Sequence, residues 1–526
     1  MAGETVIRID GVRWQYAGAD AAVLDGVDLH IRRGETVLLC GASGSGKSSV
    51  LRLMNGLIPH FHQGSLDGSV HIDGTSVAEL SLERVGRLTG TVLQHPRRQF
   101  FTAAVDTELA FTLENFGTPP EQIRNRVGSV ITEYGLAELT GHRLAELSGG
   151  QQQQIACAAA ATHGPPLLLF DEPTANLAAD AIEGFTATLA RLRSLGTTIV
   201  IAEHRLHYLR EIADRIVLLR NGRIAAEWSR KQFARLDDAA LNAEGLRSNN
   251  SPVRNHIPPA CAYGASVAGT PSGTAAPASS PSEVVLRGIR CCFRGHRVLD
   301  IEEARFPAAT VTAITGPNGA GKSTLARVLV GLQRHDGEVS FGGSRISRSR
   351  RQRMSAIVMQ DVQRQLFTES VRAELRLGAP PAAAGVASTL LRDLGLEEFA
   401  DRHPLSLSGG QQQRLVVAAA RLSNRKIMVF DEPSSGVDRR HLRSITNVMR
   451  DVAAQGVVVI LISHDQELLT LAADQELRMR VADTLNARSR RKAAGENACL
   501  ETAIRLADPR SHVTATKHSD CSELQQ

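Results

Sequence analysis

GASGSGKSS, Gly41–Ser49, follows the short β-rich run Thr36–Cys40 and opens a helical stretch. Its pattern, G-x-x-x-x-G-K-[ST], is a phosphate cradle. The glycines let backbone N–H groups converge on phosphate oxygens, and the helix N-terminus behind them adds positive potential. Lys47 would reach the β/γ-phosphates and Ser48 would ligate Mg²⁺. The pattern recurs as GPNGAGKST, Gly316–Thr324, after the run Thr310–Thr315, with Lys322 and Ser323 in the corresponding places. Lysine occurs only six times in 526 residues. A compact ammonium kept at both loops, in a chain that writes Arg nearly everywhere else, fits a crowded phosphate position. The candidate nucleotide contacts are Gly41, Ser43, Gly44, Gly46, Lys47, Ser48 and Ser49, and then Gly316, Asn318, Gly319, Gly321, Lys322, Ser323 and Thr324.

Working outward, the whole chain is one unit written twice. TVLQ, ending at Gln94, recurs as IVMQ, ending at Gln360; LSGGQQQQ (Leu147–Gln154) recurs as LSGGQQQR (Leu407–Arg414). LLLFDEP recurs as IMVFDEP, and IVIAEHR, with His204, as VILISHD, with His464. Glu172 precedes His204 by 32 residues and Glu432 precedes His464 by the same 32. The order predicts two homologous α/β domains at 1–246 and 283–484. Between them, 247–282 is rich in Pro, Ser, Ala and Gly and reads as a flexible linker; 485–526 reads as a polar, disordered tail in which Glu496–Leu506 has the make-up of a short helix. The aliphatic runs before each FDE and each switch-like His read as buried parallel strands.

Composition sets outer bounds. With 42% hydrophobic and 22% charged residues the chain has the make-up of an ordinary globular protein. Its longest apolar runs, such as Val457–Ile462, fall far short of the ~20 residues of a membrane helix. MAGETVIRIDG lacks the charged start and apolar core of a signal peptide. The seven cysteines (40, 157, 261, 291, 292, 499, 521) form no C-x-x-C pair and read as reduced thiols. A net charge of +5 is small for this length, so no nucleic-acid partner is expected. The basic run Arg345–Arg353 is expected to be a solvated surface, and His60 and His62 to be loop residues.

Asp171 and Asp431 end apolar strands, where a carboxylate can hold Mg²⁺ through its hydration shell. Glu172 and Glu432 follow directly and suit the polarisation of an attacking water. Strand, phosphate loop and downstream His agree in both copies.

LSGGQ is the most specific signal. With the phosphate loop, the Gln and the His, it makes 4–235 and 284–475 resemble the nucleotide-binding domains of the ATP-binding cassette (ABC) family. The resemblance implies two tandem P-loop NTPase domains, each with a parallel-sheet core, an antiparallel β subdomain and a helical signature subdomain. It implies two ATPs clamped head to tail, each between the phosphate loop of one domain and the LSGGQ of the other. By it, Ser148, Gly149, Gly150 and Gln151, and Ser408, Gly409, Gly410 and Gln411, complete the opposite sites. Tyr16 and Phe293 match the aromatic that stacks on adenine; Gln94 and Gln360 match the loop that senses Mg²⁺ and water; His204 and His464 match the γ-phosphate histidine. The Pro/Ser/Ala-rich linker and both histidines separate the chain from ribosome-associated double cassettes, and the intact second phosphate loop separates it from fused sugar-importer ATPases.

LQHPRRQFFTAAVDTELAFTLENFG, Leu93–Gly117, resembles the ATPases of energy-coupling factor (ECF) importers, as does NGLIPHFHQG, Asn55–Gly64. The second half keeps a shorter version, MQDVQRQLFTESVRAEL. This resemblance implies a place on the cytoplasmic face of the membrane. Its implied partners are a transmembrane scaffold and a substrate-binding membrane component for a vitamin, vitamin precursor or transition metal. A fused ATPase of another importer class, such as a peptide importer, is the alternative; a soluble ABC ATPase acting on ribosome or nucleic acid is a remoter one.

The two copies are not equal. FDEPTANLAAD has Ala178 where FDEPSSGVDRR has Asp438, and Gln154 stands where the second copy has Arg414. Since each domain serves the opposite site, the site on Lys47 and Glu172 would receive the fuller set and be the stronger hydrolase.

Overall fold

The computed structural model describes residues 4–175, 177, 179–247, 282–293, 296–359, 362–379, 384–407, 409–434 and 436–480. The expected linker (but for Arg247 and Ser282), the tail after 480, Ala178, Gln360 and Ser408 lie outside these residues, as does the side chain of Phe293.

Each half is built on the same plan. In the first, a six-stranded sheet runs Arg223–Ser229, Arg215–Arg220, Thr36–Cys40, Thr198–Ala202, Leu167–Asp171, Thr89–Val92. Its pairs are parallel except at the hairpin of the first two strands. The second half has a five-stranded, wholly parallel counterpart: Ser355–Val358, Ile427–Asp431, Val458–Ile462, Val311–Thr315, Gln475–Arg478. The runs before each acidic pair and each His are therefore the buried parallel strands that their aliphatic composition predicts. A four-stranded antiparallel sheet lies beside each core, formed in the first half by Leu24–Arg32, Thr5–Tyr16, Gly64–Ile72 and Thr75–Ser76.

Strand alternation divides each core in two. Val37, Leu39, Leu167, Leu169, Val200 and Ala202 face the cluster that joins the antiparallel sheet, with Val50 and Leu53 of the phosphate-loop helix. Leu38, Leu168, Phe170, Ile199 and Ile201 face the cluster that contains Ile155 and Ala156 of the signature helix Gly149–Ala161. Burial of both faces explains why these strands read as continuous apolar runs. The parallel direction of Thr36–Cys40 and Leu167–Asp171, each paired with Thr198–Ala202, places the phosphate loop and the acidic pair at the same, carboxyl-terminal edge of the sheet.

The basic run is exposed at Arg345, Arg348, Arg350 and Arg353, as expected, and departs from expectation at Arg351. Arg348–Met354 is a helix, and Arg351 is buried: its Nη1 donates to Val328 O at 2.7 Å, while Arg348 Nε donates to Gly331 O at 2.8 Å. The two guanidinium groups satisfy carbonyls at the end of the phosphate-loop helix Lys322–Leu329, where cations are electrostatically favoured. Among the described residues, no helix is long and apolar enough to cross a membrane.

Candidate nucleotide sites

The strand Thr36–Cys40 passes through Gly41 and Gly46 into the helix Lys47–Met54. Gly41 has φ 144° and Gly46 φ 104°; a Cβ on Gly41 would stand 2.2 Å from Leu219 O. Only glycine permits that turn so close to the neighbouring strand. Lys47 curls over the loop and donates to Gly41 O at 3.0 Å and Ala42 O at 3.1 Å. Lys322 repeats this with Gly316 O and Pro317 O, both at 2.9 Å. Ser48 Oγ donates to Asp171 Oδ1 at 3.0 Å, and the Ser323 hydroxyl bonds Asp431. Burial, with Glu172 beside it, pushes Asp171 up to about 6, and burial raises Asp431 as well. A hydroxyl and a carboxylate that are hard oxygen donors, the latter destabilised as an anion, fit Mg²⁺.

Glu172 and Glu432 both take left-handed backbone conformations, φ 46° and 53°, which non-glycine residues rarely adopt. Each is fixed by donating its own N–H across the sheet, Glu172 to Ala202 O and Glu432 to Ile462 O. The carboxylates are held differently. Glu172 lies 3.1 Å from His204 Nε2 through Oε1 and accepts Gln94 Nε2 at 3.0 Å through Oε2. Burial opposes its ionisation, but His204, Lys47 and Arg247 outweigh burial and hold its pKa below the ordinary value. Glu432 Oε2 instead accepts Ser463 Oγ at 3.1 Å and His464 N at 3.3 Å, with His464 Nε2 3.7 Å from Oε1. Burial and the neighbouring Asp431 push Glu432 up to about 7.

The halves meet head to tail around these groups. Asp438 Oδ2, in the second half, accepts Ser43 N of the first phosphate loop at 2.8 Å. A Cβ on Gly436 would lie 2.7 Å from Gln94 Nε2 and 2.9 Å from Glu172 Oε2, and one on Gly410 would lie 3.6 Å from Ser43 Oγ. The second half therefore brings its signature helix, Gly409–Leu422, and the loop after its acidic pair to the first site. Reciprocally, Ala175 and Leu177 line one cavity with Asn318, Gly319, Gly321, Lys322, Ser323, Thr324, Asp431, Glu432 and His464.

Of the other expected residues, Ser148 caps the helix Gly149–Ala161 in a reciprocal box with Gln151, which orients the first signature turn. The Tyr16 hydroxyl sits 3.1 Å from Ser49 Oγ and accepts Arg52 Nη1 at 2.9 Å, beside the phosphate-loop helix. Phe293 ends the strand Val284–Phe293. Gln154 does not turn to the opposite site: its amide donates to Tyr134 O within its own half, at 2.8 Å. Arg414 is buried instead, and burial lowers its pKa to about 10. His60 closes the four-residue helical turn Leu57–His60, with Nε2 2.8 Å from Val77 O.

Among the buried charges that sequence reasoning missed are Glu203, Arg205 and Asp465. Glu203 accepts His204 N and Arg205 N at 2.7 and 3.1 Å, and the Thr174 and Tyr208 hydroxyls at 2.7 and 3.0 Å. Superposing the repeat would have flagged them, since Glu203 answers to Ser463 and Arg205 to Asp465.

A parallel-sheet core, two phosphate loops and two helix-borne signature turns closed head to tail define a paired P-loop ATPase. The sequence profile of the family described as "ABC transporter" matches residues 24–175 and 301–435. A Treponema denticola protein described as "Putative ABC transporter ATP-binding protein" is 38% identical over 479 residues, covering 88% of this chain and 93% of its own. "Putative HMP/thiamine import ATP-binding protein YkoD" of Bacillus subtilis is 29% identical, covering 90% of each chain. The solved structure of cbiO1 from Clostridium perfringens, part of the ABC transporter complex cbiONQ, covers 44% of this chain and 92% of its own at 26% identity, with a TM-score of 0.41. The chain belongs to the ABC transporter family. It is an ATP-binding, ATP-hydrolysing subunit with two cassettes in one polypeptide.

Proposed function

We propose that this chain energises an ECF-type importer from the cytoplasmic face of the membrane, with 1–246 and 283–484 as its two cassettes. The observation that carries the reading is a pair of loops presenting exposed aromatic rings. Phe101 is 74% exposed and Phe367 77% exposed, at matching places after the two glutamine loops. The motif residues that resemble ECF ATPases build these loops. Gln99 Oε1 accepts Leu93 N at 2.9 Å, and Gln365 Oε1 accepts Met359 N at 2.7 Å. The buried Glu108 then accepts Phe101 N, Thr102 N and the Thr102 hydroxyl, as Glu374 does for Phe367 and Thr368. Arg98 Nη2 donates to Gln363 Oε1 at 2.6 Å, tying the two loops together across the halves. Rigid loops that hold large apolar rings in solvent suit docking by apolar helices of membrane partners. The HMP/thiamine description of the Bacillus subtilis relative favours a vitamin or vitamin precursor as cargo.

In this reading the glycine loops and Lys47 and Lys322 bind the ATP phosphates. Mg²⁺, held by Ser48, Gln94 and Asp171 or by Ser323, Gln360 and Asp431, would neutralise phosphate charge. Glu172 and Glu432 take a proton from the attacking water, and His204 and His464 orient the reacting end. ADP and phosphate leave, the halves part, and the loops bearing Phe101 and Phe367 carry that motion to the scaffold. Affinity purification from membranes tests this. An integral membrane protein should accompany the wild-type chain and be lost with Phe101→Ser/Phe367→Ser. Purification without one, or hydrolysis stimulated by RNA or DNA, would contradict the reading.

A further inference from the structure

The repeat positions around the two loops that follow the acidic pairs show an exchange. In the first half, Arg205 Nη1 donates to Thr174 O at 3.1 Å and Leu177 O at 3.3 Å. The matching carbonyls of the second half are those of Ser434 and Val437, but Asp465 occupies the position matching Arg205. Arg247 supplies the missing guanidinium. Its Nη2 donates to Val437 O at 2.7 Å and Ser434 O at 3.4 Å, its Nε to Val437 O at 3.1 Å, and its Nη1 to Asp465 Oδ2 at 2.6 Å. Its backbone belongs to the first half, where Leu246 packs into the core with Leu241. One loop is thus fastened from within, and the other by the opposite half.

The loop fastened by Arg247 is the one that reaches the first site, through Gly436 against Gln94 and Glu172 and through Asp438 on Ser43 N. We propose that Arg247 is a positioning residue for hydrolysis at the Lys47/Glu172 site, acting through Ser434 and Val437, whose carbonyls it holds beside Gly436. This rests on the assignment of Glu172 and Glu432 as the two general bases. A planar guanidinium suits the task because it spans two carbonyls and a carboxylate at once, which one ammonium cannot do with the same geometry. The site is also closed to water: the side chains of Arg247 and Asp465 are 5% and 4% exposed. Loss of the guanidinium would leave both carbonyls and a buried carboxylate without it. Among the described residues, Arg205 Nη2, 3.9 Å from Asp465, is the nearest other cation.

The test uses the full chain in single-site backgrounds. With Glu432→Gln, which leaves the first site, Arg247→Met should lower kcat about tenfold or more, the loss expected for hydrogen bonds to charged groups. KM and the ATP Kd, from a direct titration, should change less than about twofold. With Glu172→Gln, which leaves the second site, the same substitution should change kcat less than about twofold. Arg247→Lys should restore part of the first-site loss, and Asp465→Asn, which keeps Arg247 but removes its counter-ion, should give a smaller loss confined to the same site. Equal losses in both backgrounds, or none in the first, would overturn the proposal. Normal turnover in the Glu172→Gln/Glu432→Gln double variant would instead overturn the base assignment.

Discussion

The carboxylate of Asp438 accepts the Ser43 amide at 2.8 Å across 395 residues of sequence, binding the loop after one acidic pair to the other half's phosphate loop. The same side chain caps its own helix, Arg439–Ala454, by accepting His441 N at 2.9 Å through Oδ1. Asp438→Asn and Asp438→Ala should therefore separate. The Ala variant loses the cap and about 1 kcal/mol of stability, while Asn, a competent cap, loses little. Both weaken the cross-half bond and should slow the first site in a Glu432→Gln background. Thermal unfolding together with single-site turnover checks the split.

Lys47→Ala and Lys322→Ala should each weaken ATP binding at one site, by roughly ten- to a hundredfold. That follows from losing charge-assisted hydrogen bonds of about 1.5–3 kcal/mol. A nucleotide titration should resolve one weakened and one unchanged site in each variant. Two unchanged sites would remove the lysines from the phosphate assignment.

Stability should depend on pH through Asp465. Burial opposes its ionisation, yet the charges of Arg247 and Arg205 hold its carboxyl well below the ordinary carboxylate range. A depressed folded pKa contributes stability above the unfolded value of about 3.9 and loses it as pH falls further. Asp465→Asn should cost about 3 kcal/mol at neutral pH, the loss expected on breaking a buried pair. The gap from wild type should narrow below about pH 4. Urea unfolding at pH 7 and at about pH 3 measures it; a gap that widens at the lower pH would have the wrong sign.

Much of this was legible in the sequence because it is local. Phosphate loops, acidic pairs and signature turns each sit within ten residues and carry their own backbone logic, and the strands declare themselves by unbroken aliphatic runs. Arg247 was not legible: it stands at the edge of a Pro/Ser-rich stretch, and its partners Ser434, Val437 and Asp465 are 187–218 residues away. The burial of Arg351 was hidden for a similar reason, since an Arg-rich run looks solvated until the helix end it caps is in place. Gln154 was misread because a gap in a motif pattern does not say which way the substitute turns. One signal was available throughout: Arg205 and Asp465 are the same repeat position with opposite charge. Such a swap marks a contact across the pseudo-symmetric interface.

We infer that the two composite sites of this one chain differ in strength. The Lys47/Glu172 site receives Asp438 on Ser43 N, and Glu172 lies 3.1 Å from His204 Nε2 and accepts the Gln94 amide, whereas Glu432 lies 3.7 Å from His464 Nε2 and the first half has Ala178 in the place of Asp438. Phosphate release by Glu172→Gln, Glu432→Gln and the double variant, at saturating Mg·ATP, measures it directly. The account predicts that Glu172→Gln removes the greater share of turnover, that Glu432→Gln leaves most of it, and that the double variant binds ATP but barely hydrolyses it. Equal losses from the two single variants, or a larger loss from Glu432→Gln, would contradict it.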